Sequence, residues 1–182
     1  MCFLWKGVQM RNNESLITIL KADLSRIITP TLKSFLKCYF FTRGGVFRFT
    51  VWFRITMCVK SNKLLKWLFP VVYIVYRHYT YKYGVHIDTN IPIGKGLLIV
   101  HGDGVHINCN QIGDNFTIYQ NVTIGVDKTG KPIIGDNVTI FPGAVVSGGI
   151  EIRDGCIVGA NSFVNKTVDS GLRVAGVPAK CI

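Results

Sequence analysis

His101 is the side chain in this sequence whose type and surroundings are best suited to chemistry. It stands in the run Ile99-Val100-His101-Gly102-Asp103-Gly104-Val105, where two glycines let a ligand approach the backbone closely. Because the pKa of an imidazole lies near neutrality, a histidine in such a place is suited to proton transfer. The alternative interpretation is a surface histidine at a corner of the fold, without a chemical role.

A second segment of interest is the loop Gly125-Val126-Asp127-Lys128-Thr129-Gly130-Lys131-Pro132. A regular scaffold expels extra residues as loops, and loops on a rigid scaffold often carry function. Both segments interrupt a sequence repeat, and this repeat is the element that must position them.

The repeat has a period of six residues, and each period begins with an aliphatic anchor. The thirteen anchors form three blocks: Ile87, Ile93, Ile99 and Val105; then Ile112, Ile118 and Ile124; then Ile134, Ile140, Val146, Ile152, Val158 and Val164. One extra residue separates the first two blocks, and four extra residues separate the last two. A solenoid has such a period, whereas an α-helix or an ordinary strand does not. The pattern predicts a mainly β fold, a parallel β-helix of roughly four to five coils of about 18 residues each.

Charge divides the chain into two unlike parts. Residues 1–86 contain 14 Lys/Arg and two acids, whereas residues 87–182 contain seven Lys/Arg and eight acids, and the whole chain has a net charge of +11. Aromatic and basic residues recur at roughly helical spacing over Thr31–Phe41, Val46–Val59 and Lys63–Tyr83, with breaks at Gly44-Gly45 and Ser61-Asn62. We therefore predict a basic, mainly helical N-terminal region over residues 1–82 and a β-helix domain with a C-terminal tail over residues 83–182.

Three interpretations of the basic region compete. It is a helical cap that covers the β-helix or a neighbouring subunit, or it attaches the protein peripherally to an anionic membrane, and the two are compatible. Nucleic-acid binding is the third interpretation, but no recognised nucleic-acid motif accompanies the charge, so we predict no nucleic-acid partner. A transmembrane helix is not expected in this region, because the longest uncharged stretch of residues 1–86 is ten residues, Trp67–Tyr76, and Pro70 interrupts it.

The cysteines and the N-terminus favour a cytoplasmic protein, in which membrane attachment would be peripheral and at the inner face of the cell membrane. The six cysteines, Cys2, Cys38, Cys58, Cys109, Cys156 and Cys181, form no C-x-x-C pair, which predicts free thiols in a reducing compartment. Met1–Gly7 lacks a basic segment followed by a long apolar run, so no secretory signal is expected.

Three motifs in order resemble one family. The run Ile99–Val105, then Ile118-Tyr119-Gln120-Asn121-Val122-Thr123-Ile124-Gly125, then Ala175-Gly176-Val177-Pro178-Ala179-Lys180 are similar to the serine acetyltransferase branch of the hexapeptide acyltransferases, over about residues 83–182. The fold that this resemblance implies is a left-handed parallel β-helix. A weaker likeness, through Phe53-Arg54 and the segment Val72–Arg77 leading into Tyr83-Gly84, is to acetyltransferases of exopolysaccharides and capsules.

The resemblance implies a mechanism and a set of site residues. His101 matches the family's catalytic histidine, which takes the proton from an acceptor hydroxyl as that oxygen attacks the thioester of acetyl-CoA. Acetyl-CoA would be the acyl donor, without a metal, in a groove between subunits of a homotrimer. The donor-binding residues would be Pro142, Gly143, Ala160 and Gly176, with Lys166 and Lys180 near the phosphates.

The acceptor side departs from the family pattern at three positions. His86 stands where the family has an aspartate that orients the histidine, Val100 replaces the aspartate before it, and Lys131 replaces a second histidine. We therefore expect a saccharide or lipid-linked sugar as acceptor, with Asp103 and Lys131 beside it, and serine O-acetylation in cysteine biosynthesis as the alternative. The group that orients His101 stays open among His86, Asp88 and Asp103.

Two other classes of function are a zinc enzyme and a non-catalytic scaffold. Some hexapeptide β-helix trimers are zinc carbonic anhydrases, and the five-residue spacing of His101 and His106 occurs there, but Leu65 stands where the third histidine would be. A non-catalytic trimeric scaffold is the other class, against which the His-Gly-x-Gly and Ala-Gly-Val-Pro-Ala motifs argue.

Overall fold

A computed structural model describes residues 14–41 and 46–182 of the chain. Four helices come first: α1 (Leu16–Ser25), α2 (Leu32–Phe40), α3 (Val46–Ser61) and α4 (Phe69–Tyr83), with a 3-10 turn over Lys66–Leu68 before α4. The hydroxyls of Ser15 and Thr31 cap the first two helices by accepting backbone N–H groups. Pro70 lies in the first turn of α4, and Gly84 ends this helix in the left-handed conformation.

The prediction of helices in the basic region is confirmed over the described residues. The three aromatic and basic runs correspond to α2, to α3, and to the 3-10 turn with α4, whereas α1 was not predicted. Helix α3 ends at Ser61, as the Ser61-Asn62 break predicted, while Gly44-Gly45, Cys2 and Met1–Gly7 lie outside the described residues. No helix in the described ranges is both long and apolar enough to cross a membrane.

Fourteen short strands follow and form three parallel sheets, which are the faces of a β-helix. In chain order the strands are β1 Val85–Ile87, β2 Leu98–Ile99, β3 Val105–Ile107, β4 Gln111–Ile112, β5 Thr117–Ile118, β6 Thr123–Gly125, β7 Ile133–Ile134, β8 Thr139–Ile140, β9 Val145–Ser147, β10 Glu151–Ile152, β11 Ile157–Val158, β12 Phe163–Val164, β13 Arg173–Gly176 and β14 Ala179–Cys181. Sheet A has the order β1-β3-β6-β9-β12, sheet B the order β4-β7-β10, and sheet C the order β2-β5-β8-β11-β13-β14. Only the last pair, β13 with β14, is antiparallel.

The strand register confirms the six-residue repeat and corrects one anchor. Ile87 pairs with Ile107, and Ile107 pairs with Ile124, so Ile107 and not Val105 occupies the anchor position of sheet A. Ile99 and Ile118 pair in sheet C. The irregularity therefore includes two additional residues between the anchors Ile99 and Ile107, at the corner that contains His101. The sequence pattern assigned Val105 as the anchor because Val105, like Ile107, is aliphatic, and both side chains are buried.

Carboxylates stabilise the corner between sheets B and C. The side chain of Asp136 accepts the backbone N–H of Asp114 at 2.7 Å, and that of Asp154 accepts the N–H of Asp136 at 2.7 Å. Gly113 precedes Asp114, and Gly135 precedes Asp136. A side chain at either glycine would collide with a carboxylate: a Cβ on Gly113 would lie 2.1 Å from Oδ1 of Asp136. Extra residues are therefore not tolerated at this corner and appear at the other two.

Helices α3 and α4 share one hydrophobic core with the β-helix, and a second cluster joins α1, α2 and α3. Phe49 and Phe53 of α3 are fully buried and stack with ring centroids 6.0 Å apart, in the same cluster as the aliphatic anchors of the first coils. Tyr76 of α4 packs against both rings, and its hydroxyl donates a hydrogen bond of 2.5 Å to the carbonyl oxygen of Ile87. Burial raises the pKa of Tyr76 to about 12. The β-helix is thus closed at its first coil by α3 and α4.

A buried ion pair joins the helices to the first turn of the β-helix. Nε and Nη2 of Arg54 donate to the two carboxylate oxygens of Asp23 at 2.8 and 3.1 Å, and only 2% and 0% of these side chains are exposed. The same guanidinium donates to the carbonyl oxygens of Ile93 and Gly94, while the Asp23 carboxylate accepts the N–H of Leu97. The guanidinium nitrogens of Arg54 and both carboxylate oxygens of Asp23 therefore all have hydrogen-bond partners.

Breaking this pair on one side should destabilise the protein strongly. Arg54→Met would leave the Asp23 carboxylate buried without its cation, so we expect the free energy of unfolding to fall by about 3–5 kcal/mol. Urea denaturation followed by circular dichroism measures the change. Arg153→Met, which removes the exposed partner of Asp169, is the matched control and should cost less than about 1 kcal/mol. Equal losses in the two variants would contradict the assignment of Arg54 as the link between the two parts.

Candidate active site

His101 lies exposed at the corner between sheet C and sheet A of the first coils. The backbone around it is fixed: the N–H of Asp103 donates to the carbonyl of Tyr83, and the carbonyl of Asp103 accepts the N–H of Asn121. Gly102 must be glycine, because a Cβ there would lie 2.2 Å from the carbonyl oxygen of Tyr83. The end of α4 thus holds the segment that carries the imidazole.

Of the three candidate orienting groups, His86 and Asp88 have other partners and Asp103 is exposed. The ring of His86 stacks on that of His106 with centroids 4.6 Å apart and an angle of 4°. The carboxylate of Asp88 accepts both the backbone and the side-chain N–H of Asn90, and Asp103 is exposed at φ 40°. Within residues 14–41 and 46–182, the imidazole of His101 makes no side-chain hydrogen bond, so its orienting group stays a prediction.

A cleft of about 650 Å³ opens on sheet A, and His101 is not among the residues that line it. Its floor is built from neighbouring strands in register, because His86 pairs with His106 and His106 pairs with Thr123. One wall is α4, which contributes Arg77 and Thr80 among others. The further lining residues are Tyr73, Tyr76, Ile87, Asp88, Thr89, Ile107, Asn108, Ile124, Gly125 and Val126. This volume is in the range of small-molecule sites.

The electrostatics of the cleft keep His86 neutral. Burial lowers the pKa of His86 below its ordinary value of 6.5, and the neighbouring His106 and then Arg77 lower this pKa further. Arg77 donates a short hydrogen bond to the hydroxyl of Tyr81 and lies over that ring, 4.6 Å from its centroid. At neutral pH the cleft therefore offers a neutral imidazole next to one guanidinium.

Lys131 lies near the end of the inserted loop and does not line the cleft. Its carbonyl accepts a hydrogen bond from the Asn110 side chain, and its charge acts on the thiol of Cys109. Burial nevertheless raises the pKa of Cys109 to about 12. Val126, at the other end of the loop, does line the cleft, so the loop reaches the cleft through its first residues and not through Lys131.

The donor-binding candidates lie mainly on the corner above His101. The carbonyl of Gln120 accepts the N–H of Gly143, and that of Pro142 accepts the N–H of Asn161, so Pro142, Gly143 and Ala160 stack in successive coils. The β13–β14 hairpin joins them, since the N–H of Gly176 donates to the hydroxyl of Ser162, and Lys180 is exposed on β14.

Lys166 is the exception among the donor-binding candidates. It follows β12 at the corner between sheets A and B, so the structure does not bring it together with Pro142 and Gly176 within one chain.

An unsatisfied acceptor lies on the same corner. Oε1 of Gln120 is buried and is the one buried side-chain nitrogen or oxygen without a hydrogen-bond partner in the part of the chain that the structure describes. Gln120 follows Tyr119, whose ring stacks on Phe141 of the next coil at 5.1 Å. A buried polar atom without a partner costs free energy, so this oxygen is suited to accept a hydrogen bond from a bound molecule.

Sequence reasoning missed part of this site. Arg77 and Thr80 belong to α4, and their approach to sheet A depends on packing between distant segments. The sequence shows the tyrosines of α4, but their spacing does not indicate which face of the helix lies against sheet A. The zinc interpretation counted Leu65 as a position two coils earlier, but Leu65 lies before α4 in the helical region. Over the described ranges, no group of three or more His, Cys, Asp or Glu side chains is placed to hold a metal ion.

Known proteins share the repeat and the fold. Residues 131–166 match the family described as bacterial transferase hexapeptide (six repeats). Serine acetyltransferase of Staphylococcus aureus (strain Mu50) is 47% identical over 107 residues, which cover 54% of this chain and 49% of that protein. The chain therefore spans about half the length of the curated relatives that it matches.

Solved structures cover more of the chain at lower identity. The soybean serine acetyltransferase complexed with serine gives a TM-score of 0.74 at 29% identity, covering 92% of this chain and 70% of that one. A serine acetyltransferase in complex with CoA gives 0.75 at 24% identity, covering 93% and 71%, and supports the fold. The predicted β-helix with N-terminal helices is confirmed, and these relatives favour the serine acetyltransferase resemblance over the exopolysaccharide one.

The pKa of His86 provides a test of the cleft. We expect NMR titration of labelled histidine to give a pKa for His86 below 6.5, and His106→Asn to raise it only in part, because burial is the largest cause. The unfolded chain takes up this proton near pH 6.5, so the contribution of His86 to stability is lost as the pH falls below that value. His78→Asn, at an exposed position of α4, should leave the pKa of His86 unchanged. A pKa at or above 6.5 in the wild type would contradict the packing of the stacked pair.

Proposed function

We propose that this protein is an acetyl-CoA-dependent O-acetyltransferase in which His101 is the general base. The observation that carries the proposal is the corner itself. An exposed imidazole lies beneath a stack of small residues in successive coils, on a fold shared with serine acetyltransferases.

In this proposal His101 accepts the proton of the acceptor hydroxyl while the hydroxyl oxygen attacks the thioester carbonyl. It then returns that proton to the sulfur of the departing CoA, so one ester forms, one thioester breaks, and the imidazole ends neutral. Backbone N–H groups of the corner are the candidate donors to the developing oxyanion. The free imidazole lacks a hydrogen-bond partner within the described chain, which favours a homotrimer in which an adjacent subunit completes the site.

The donor would lie along Pro142, Gly143, Ala160 and Gly176. These residues leave space next to the backbone, and the orphaned Oε1 of Gln120 is a ready acceptor for an amide N–H of the pantetheine arm. Lys180, exposed on β14, is within the same corner and suits a phosphate. Lys166 would reach the donor of this corner only from another subunit.

Serine is the first acceptor to test, because the relatives that resemble this chain are named serine acetyltransferases. A saccharide hydroxyl is the second candidate. It is favoured by the cleft of about 650 Å³ on sheet A, the sheet that follows the His101 corner. The floor of this cleft has His86 and His106, and Asp88 is its one acidic lining residue. An amino-acid acceptor needs a carboxylate for its ammonium group, and both Val100 and His86 lack one.

The test is release of free CoA from acetyl-CoA, measured with a thiol reagent, in the presence of L-serine or of a set of neutral and acidic saccharides. We expect acceptor-dependent release, and His101→Ala should lower kcat/KM by about 10²- to 10⁴-fold because it removes the general base. His78→Ala is the matched control, an exposed histidine whose loss should not change the rate.

A thermal-shift measurement separates binding from chemistry. Acetyl-CoA should raise the melting temperature of the wild type and of His101→Ala alike, because the donor lies on the residues above His101. Release that His101→Ala does not reduce would overturn the proposed role of this residue. Absence of both release and stabilisation would favour a non-catalytic β-helix scaffold.

A further inference from the structure

An apolar stripe runs along the outer side of α4 and the turn before it. We call it the α4 stripe and define it by Leu64, Trp67, Val71, Ile74 and Tyr81. These side chains are 83%, 75%, 64%, 68% and 65% exposed. Val71, Ile74 and Tyr81, together with His78, recur along α4 at steps of three and four residues, which keeps them on one face of this helix. Leu64 and Trp67 precede them, in the turn and the 3-10 segment before α4. Five large side chains in one exposed line exceed what scattered surface residues explain.

The charges around this stripe have one sign. Lys63, Lys66 and Lys82 are exposed next to it, and Lys60 and Arg77 are half-buried. No acidic residue occurs in the sequence between Asp23 and Asp88. The charged residues next to the stripe in the sequence are therefore all positive, which favours an anionic surface and disfavours a second copy of the same stripe.

We propose that the α4 stripe docks on the surface of an anionic lipid bilayer. A helix with Trp and aliphatic residues on one face and lysines beside them lies in the plane of the membrane interface. Trp67 and Tyr81 would lie at the level of the headgroups, Val71 and Ile74 would enter the acyl boundary, and the lysines would contact anionic headgroups. This contact is peripheral, in agreement with the length of α4, which is 15 residues.

The stripe lies directly beside the cleft. The ring of Tyr81 contacts that of His86 with centroids 6.1 Å apart, and Arg77 and Thr80 carry the surface of α4 round from the stripe into the cleft. Docking through the α4 stripe would therefore bring the cleft to the bilayer surface. This inference concerns a surface and stands independently of which acceptor is acetylated.

The test is sedimentation of the full-length protein with vesicles of phosphatidylcholine alone or mixed with phosphatidylglycerol. We expect binding to the anionic vesicles, at least tenfold weaker binding to the neutral ones, and a decrease as salt is added. Lys63→Gln together with Lys66→Gln should weaken binding roughly 25-fold, since each basic residue contributes about fivefold. Leu64→Ser with Trp67→Ser should weaken it at least tenfold. Lys128→Gln and Ile182→Ser, both on exposed side chains of the β-helix, are the matched controls and should bind as the wild type does.

Two further readouts make the outcome decisive. Brominated anionic lipids should quench tryptophan fluorescence in the wild type, and Trp67→Phe should remove that quenching. The proposal is overturned if the stripe variants bind vesicles like the wild type, or if the wild type does not bind anionic vesicles. It is also overturned if Leu64→Ser with Trp67→Ser reduces the mass in analytical ultracentrifugation without lipid, because the stripe is then an interface between copies. Unchanged circular dichroism and melting temperature show that the variants are folded.

Discussion

The buried pair of Asp23 and Arg54 fixes the relation between the two parts of this molecule. A β-helix needs a cover at its first coil, because the aliphatic anchors there would otherwise face water. Hydrophobic packing by Phe49, Phe53 and Tyr76 supplies the cover but does not by itself set its position. The guanidinium and carboxylate do so, since they bond to each other and to backbone groups at Ile93, Gly94 and Leu97. The position of α4 and of the cleft that it walls follows from this constraint.

The second constraint is the stacking of coils, which decides where chemistry can be placed. Between sheets B and C, each carboxylate of the ladder accepts the N–H of the coil below, so that corner has no room for additional residues. The corner of His101 contains two additional residues and closes against the end of α4 through the Tyr83 carbonyl. The imidazole is thus carried by the segment that departs from the regular repeat, yet this segment is held on both sides by fixed backbone.

The repeat was predictable because it depends on local spacing, whereas the site depends on contacts between distant segments. Aliphatic residues at every sixth position identify the coils. The error at Val105 arose because Val105 and Ile107 are both aliphatic, so the pattern placed one extra residue after Val105 instead of two before Ile107. Helix α1 was missed since Asp23, which is fully buried, looks in sequence like a solvated charge. His101, Pro142, Gly143 and Ala160 were predicted from the family resemblance, and the structure places them at one corner. The wall of the cleft was not predicted, because the spacing of residues along α4 does not show which sheet this helix faces.

The floor of the cleft bears on which acceptor this protein would recognise. In a parallel sheet the same position of successive coils is in register, so two histidines there must stack, and His86 and His106 do so at 4.6 Å. Two imidazoles this close disfavour simultaneous protonation, and Arg77 adds to this effect. His86 therefore presents a neutral ring that donates and accepts hydrogen bonds, and Asp88 is the one acidic residue that lines the cleft. Hydroxyl groups satisfy such a ring on both counts, which supports a hydroxyl compound as the acceptor in the proposed reaction.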